Sequence, residues 1–267
     1  MTVRIRALLF DLDDTIWHFP VQVPADVLHA RCAEQIGPLL SGWGVACDPT
    51  DLSHRVLDAI ERARREAVAG SLLSPDWSGS LDAMLQSAGV SLDPDQLDAL
   101  WAAWQVDGAR LGRQLYPDTV TTLWWAKQEG YRLGLITNRW SGAVLLQREL
   151  DGCNLGGVFD SIAASSDAGW LKPHPEIFYA ALRGLGTEPS ETAMVGNSLR
   201  TDIAGAKMVG MRAVWKRNGR RQVQPDPAIP PDAMIDDLWE IRRLPFLTGE
   251  GDSAGVAGLP TGDERFG

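Results

Sequence analysis

With 267 residues the chain can hold one large domain, or a core with a smaller companion, and can bury a sizeable interior. Hydrophobic residues make up 45% and charged residues 22%, the balance of a globular protein that folds without a partner. A formal net charge of −10 argues against a nucleic-acid polymer as partner, because backbone affinity comes from clustered Lys and Arg.

Residues 3–10 end in Leu8-Leu9-Phe10 and predict a strand buried on both faces of a parallel sheet. Asp11-Leu12-Asp13-Asp14-Thr15 follows directly, so two carboxylates two residues apart emerge at a strand's carboxyl end, where ligand sites of such sheets lie. From about residue 18 to 114 the chain reads as purely helical. Residues 51–69 carry Leu52, Val56, Leu57 and Ile60 at helical spacing, and Asp93-Pro94 forms a cap with a first-turn proline ahead of Leu97, Leu100, Trp101 and Trp104. After Tyr116-Pro117-Asp118 the pattern predicts a helix through Lys127 and then a strand over 132–136. A strand over 192–195, a helix over 201–209, a strand over 212–215 and a weak last strand over 233–235 continue the βα alternation. Residues 216–221, a short basic run, read as a solvated loop, and 244–267, rich in Gly, Asp and Ser at their end, read as a disordered tail.

The expected architecture is therefore α/β: a doubly wound, mostly parallel Rossmann-like sheet formed by residues 1–17 and 115–243, with residues 18–114 inserted as a helical cap. Cys32, Cys47 and Cys153 are odd in number, far apart and without a CxxC pair, which fits a reducing cytoplasm and suggests neither a disulfide framework nor zinc. No stretch approaches a membrane span, and the N-terminus runs into a strand without a signal-peptide pattern.

Four polar clusters stand at strand ends or helix starts: Asp11 with Asp13, Thr137-Asn138, Lys172-Pro173-His174-Pro175, and residues 196–202. Each alone is a weak signal, but a doubly wound sheet can bring all four together. In this order they resemble the haloacid dehalogenase superfamily, in its phosphatase branch with a helical cap between the first and second motifs, and the resemblance covers about residues 3–240. It implies Asp11 as nucleophile, Asp13 as acid and base, Thr137 and Lys172 as phosphate ligands with Asn138 beside them as a further substrate-binding residue, and a magnesium ion near Asp11, Asp13, Asp202 and Asn197.

The chemistry calls for these residue types independently. A carboxylate attacking a phosphate monoester meets charge repulsion unless cations and donors neutralise the phosphoryl oxygens, hence a lysine and a metal. Asp11 would form an aspartyl-phosphate, while Asp13 would protonate the departing alkoxide and then activate water. The implied activity is hydrolysis of a small phosphorylated metabolite, with phosphoglycolate, a sugar phosphate and a nucleotide all open.

Asn197 departs from the Gly-Asp-Ser usual in that branch, removing a negative charge and predicting weaker magnesium binding, unless Asn197 only orders its loop. It also raises dehalogenation as a rival, against which Asp13 argues, since halide leaves without a proton. The same motifs are compatible with a phosphomutase, whereas the complete set Asp11, Asp13, Thr137 and Lys172 argues against a catalytically silent binding protein. Trp17 and His18 are candidates for the substrate entrance. Arg110 and Arg113 read as solvated linker charges, and His29 and His54 lack a metal-ligand pattern.

Overall fold

A computed structural model of the chain describes residues 3–87, 89–219 and 223–248. In chain order it runs β1 (Ala7–Phe10), β2 (Trp17–His18), α1 (Ala25–Gly42), α2 (Pro49–Ala69), α3 (Trp77–Ser87), α4 (Pro94–Trp104), β3 (Gln114–Leu115) and α5 (Thr119–Gln128). The second half continues with β4 (Arg132–Thr137), α6 (Ala143–Asp151), β5 (Ser161–Ala164), α7 (Ser165–Ala168), α8 (Pro175–Leu185), β6 (Thr192–Gly196), α9 (Ala204–Met208), β7 (Arg212–Lys216), β8 (Ala233–Ile235) and α10 (Pro245–Thr248).

Six strands form one parallel sheet in the order β5-β4-β1-β6-β7-β8, so the expected α/β fold is the observed one. β1 lies between β4 and β6, with Ala7 in register with Arg132 on one side and Thr192 on the other. Its four residues are fully buried because a central parallel strand is covered on both faces. Leu8 and Phe10 join one apolar cluster with Leu135 and Val195, while Ala7 and Leu9 join the opposite cluster with Phe178 and Met194. The alternation follows from the period-two geometry of a strand, and each fully buried Leu or Phe contributes about 1.5–3 kcal/mol. After β5 the chain crosses to the far side of β1 to lay down β6, and this reversal opens a crevice at the carboxyl ends of β1 and β6.

Helices α1 to α4 bury a separate core that includes Ile36, Leu40, Val56, Ile60, Leu81 and Leu100. In α2, Leu52, Val56 and Ile60 recur at four-residue spacing and make its buried stripe. α4 begins as read from sequence: Asp93 accepts from the Gln96 N–H, Gln96 returns the bond, and Pro94 occupies the first turn. Two links tie this helical layer to the sheet. Trp140, just beyond β4, packs into the helical core against Trp77 and Trp104. The turn after α2 also donates Ser74 N–H to Gly169 O, and accepts Leu171 N–H at Leu72 O.

Several expectations need correction. The stretch read as purely helical is bounded by strand: Trp17–His18 pairs antiparallel with Gln114–Leu115, because the outgoing and returning chains run side by side and satisfy each other's backbone groups. β5 and the helices α6, α7 and α8 have no counterpart among the expected elements, and the helix expected over 201–209 opens with a π-helical turn at Leu199–Ile203. The basic run 216–221 is not a solvated loop where described: Lys216 is buried with its ammonium over the Tyr116 ring, and Arg217 pairs with Asp236. Arg220 and Arg221 lie outside the described residues. Residues 244–248 of the expected disordered tail are ordered, with Leu244 buried and α10 following; the remainder, 249–267, also lies outside the described residues. No described helix is long and apolar enough to cross a membrane.

Candidate active site

β1 ends at Phe10, and the Asp11 N–H still donates to Val195 O on β6, which fixes the Asp11 side chain over the crevice. Its side chain is 10% exposed. Oδ2 accepts from Thr15 Oγ1 at 2.9 Å, and Oδ1 accepts from Lys172 Nζ at 2.5 Å. The same ammonium, 3% exposed, donates to Asp202 Oδ1 at 2.8 Å and to Ile136 O at 3.2 Å. Three groups that are 161 and 30 residues apart in sequence thus converge on one buried nitrogen.

Asp202 is held from β6. Its Oδ2 accepts the Ser198 N–H at 2.9 Å, and Ser198 Oγ accepts the Thr201 N–H. A Cβ on Gly196 would stand 2.4 Å from Asp202 Oδ2, so only glycine lets the carboxylate close over the strand end. Asn197 sits on the same loop, where its main-chain carbonyl accepts from Trp215 Nε1 at 3.0 Å.

Lys172 is held from β4. Asn138 accepts the Lys172 N–H at 2.6 Å and returns its amide N–H to Lys172 O at 3.1 Å, so both ends of its side chain are used on one backbone. The residue offered as a substrate ligand is therefore engaged in positioning the lysine. Thr137, the last residue of β4, is buried beside it and pairs in register with Ala164.

Burial, aided by Asp202, pushes Asp11 up to about 7, and Lys172 opposes the shift. For Lys172 burial works the other way, yet Asp11 and Asp202 outweigh it and hold the ammonium charged well above its ordinary range. Two carboxylates around one cation leave one excess negative charge in a dry site.

Asp13 faces a second constellation. Its Oδ1 accepts from Trp17 Nε1 at 2.8 Å and from Arg139 Nη2 at 3.2 Å, and its Oδ2 accepts from Arg139 Nε at 3.2 Å. Arg139 then reaches Glu149 Oε1 at 3.2 Å, and Glu149 is paired on its other oxygen with Arg113. Arg113 is no solvated linker charge: its side chain is 2% exposed, pairs also with Asp107 and lies over the Trp17 ring. Trp17 is likewise buried beneath this network and does not line an entrance, while His18 stacks on Tyr116. Arg139 and Glu149 escape a reading of the sequence, although Arg139 directly follows the Thr137-Asn138 pair. His29 and His54 stack on each other at 3.6 Å between ring centroids, and no cluster of three His, Cys, Asp or Glu suited to a metal exists among the described residues.

A cavity of about 480 Å³ opens beside this site, between the strand ends, which contribute Asp13, Asn138 and Arg139, and the helical layer, which contributes Leu28, Leu57 and Trp104. It is of the size that binds small organic ligands.

A family model for haloacid dehalogenase-like hydrolases matches residues 5–210. The chain is 40% identical to phosphoserine phosphatase of Thermus thermophilus over 128 residues, spanning 48% of this chain and about half (49%) of that protein. It is 30% identical to glyceraldehyde 3-phosphate phosphatase of Methanopyrus kandleri over 219 residues, covering 82% of this chain and 86% of the relative. Among solved structures it resembles a HAD phosphatase of Thermococcus onnurineus with a TM-score of 0.54 and 29% identity, over 90% of this chain and 97% of that one.

Proposed function

We propose that this chain, which belongs to the haloacid dehalogenase-like hydrolase family, is a magnesium-dependent phosphatase that hydrolyses a small phosphomonoester through an aspartyl-phosphate. The observation that carries the reading is the ammonium of Lys172 held between the carboxylates of Asp11 and Asp202 at the carboxyl ends of β1 and β6. The phosphatase names of the relatives support the reaction class, and their substrates support a small phosphorylated metabolite as partner.

In this reading an Asp11 oxygen attacks phosphorus as the ester oxygen departs, and Asp13 delivers a proton to that oxygen. Asp13 then takes a proton from the water that attacks the aspartyl-phosphate, returning Asp11 and releasing inorganic phosphate. Trp17 and Arg139 restrain both Asp13 oxygens, so its carboxylate meets leaving group and water in one orientation. Lys172 supplies positive charge to the transferring group, Thr137 offers its hydroxyl to a phosphoryl oxygen, and Asn138 acts through Lys172.

The donor set fits magnesium: Asp11 and Asp202 are two buried carboxylates close enough to share the Lys172 ammonium, and they offer oxygen, the ligand type a hard cation requires. Asp13, whose carboxylate is engaged with Arg139, would contribute through its main-chain carbonyl, and Asn197 would stand nearby. Bound there, the ion would neutralise charge on the phosphoryl oxygens. The three free thiols support a reducing compartment, the cytoplasm.

Phosphate release from acetyl phosphate and para-nitrophenyl phosphate, with and without Mg²⁺, tests the reading. Metal-dependent release in the wild type and its loss by a factor of roughly a thousand or more in Asp11→Asn is expected for removal of a covalent nucleophile. Equal turnover in Asp11→Asn, or halide release from a 2-haloacid without metal, overturns it.

A further inference from the structure

The cavity beside Asp13 is far larger than the phosphoryl site needs, and its walls differ in kind from the strand ends. Phe19, Leu28, Leu57, Val106, Trp104 and Trp140 supply apolar surface. The two indoles are held in place: Trp104 stacks on Trp101 at 5.8 Å, and Trp140 meets Trp104 at 6.4 Å and Trp77 at 6.5 Å. Trp104 is buried in those contacts, so the half-buried Trp140 is the indole that offers the cavity a ring surface, which favours a ring over a flexible chain because stacking adds to the area buried.

The wall's carboxylates are Asp13, Asp14 and Glu149. Among the described lining residues the one cation is Arg139, and it donates to both Asp13 oxygens and to Glu149. Arg113, behind it, is committed to Glu149 and Asp107. A carboxylate entering the cavity would meet Asp13, Asp14 and Glu149 and find no described lining cation that is not already paired.

Two polar atoms on lining residues lack partners. Trp104 Nε1 and Gln105 Oε1 are both buried without a hydrogen bond, and the Gln105 amide is fixed in orientation because its Nε2 donates to Trp101 O at 3.2 Å. Both atoms are shut off from the cavity surface, so the face that the wall presents there is apolar.

We propose that this cavity selects a phosphomonoester whose leaving group is an apolar ring, and rejects leaving groups that carry a carboxylate. The proposal rests on the phosphatase reading above and names the substrate class for the same site. It differs from the carboxylate-bearing phosphoserine that the Thermus thermophilus relative is named for.

The test compares 4-acetamidophenyl phosphate with 4-carboxyphenyl phosphate, two rings of similar size and leaving ability that differ in charge, with acetyl phosphate reporting the phosphoryl chemistry alone. The expected kcat/KM ratio is about tenfold or more in favour of the acetamide, carried mainly by KM, because an unpaired carboxylate loses its hydration on entry. Trp140→Leu, which keeps the wall apolar and removes the indole, should lower the ratio of kcat/KM for 4-acetamidophenyl phosphate to that for acetyl phosphate by roughly threefold to tenfold, the scale of one aromatic contact. Each ratio is taken within one protein, so partial misfolding of a variant does not mimic the effect. A ratio near one, or in favour of the carboxylate, with acetyl phosphate turned over, overturns the substrate class and leaves the phosphatase reading standing. No release from acetyl phosphate in the presence of Mg²⁺ overturns both.

Discussion

Asp11 carries the sharpest electrostatic consequence at the scale of single residues. Its ordinary value is 3.8 and burial raises it to about 7, so between these values the folded chain holds a proton that the unfolded chain has released. The stability associated with that proton is fully present below 3.8 and is lost as pH rises to about 7. Asp11→Asn keeps the shape without the charge. In metal-free protein its melting temperature relative to wild type should therefore rise between about pH 5 and about pH 8, and a difference that does not vary with pH would contradict the buried, crowded carboxylate. Arg139 makes a second residue-scale case. Its two bonds to Asp13 and one to Glu149 use the fork of a guanidinium, which an ammonium cannot reproduce. Arg139→Lys should lower kcat by about tenfold to a hundredfold, the cost of a loosely held catalytic group, with the fold intact by circular dichroism. Unchanged kcat would remove Arg139 from the positioning of Asp13.

The central strand pair decides the outcome among elements. The side chains of Leu9 and Leu185 close over β4 because Gly134 has none: a Cβ there would lie 2.8 Å from Leu9 Cδ1 and 2.9 Å from Leu185 Cδ1. Leu9 belongs to β1 and Leu185 to α8, so the glycine sets how tightly that helix is pressed on the sheet that carries Asp11. Gly134→Ala should cost about 1–3 kcal/mol in denaturant unfolding, the range for overpacking a filled core, with an unchanged m-value. A cost within error of zero would mean that α8 yields freely. The sequence signals for elements worked where the pattern was local: the Asp93-Pro94-Gln96 start of α4 is chemistry contained within four residues. They failed at β2 and β3, whose two residues each have no periodicity, and whose pairing joins positions 17 and 115.

Over the whole molecule, the sheet and the helical layer meet around the cavity, and the proposed metal couples to global stability. A ligand that binds only the folded chain adds RT ln(1 + [L]/Kd), about 2.7 kcal/mol at a hundredfold excess over Kd. Thermal unfolding should therefore shift upward with Mg²⁺ in the wild type and not in Asp202→Asn, a readout independent of turnover. Asn197→Asp should bring the shift to lower Mg²⁺ by restoring a negative charge. An identical Mg²⁺ response in wild type and Asp202→Asn would dismiss Asp202 as a ligand.

The amino-acid sequence by itself determined the parallel α/β architecture, because a continuous apolar run specifies a doubly covered strand, and it marked Asp11, Lys172 and Asp202, because each follows a recognisable strand end or helix start. It could not reveal that all three meet on one ammonium, or that Asn138 commits its amide to the Lys172 backbone. Arg139 and Asp13 lie 126 residues apart, Arg113 and Glu149 36 apart, and an isolated arginine looks the same in sequence whether it is solvated or buried in an ion pair. Charges acquire such roles only from the low dielectric and the fixed distances of a folded interior, and these arise when the chain closes its long-range contacts. Tertiary structure alone decided which carboxylates are paired and which are crowded.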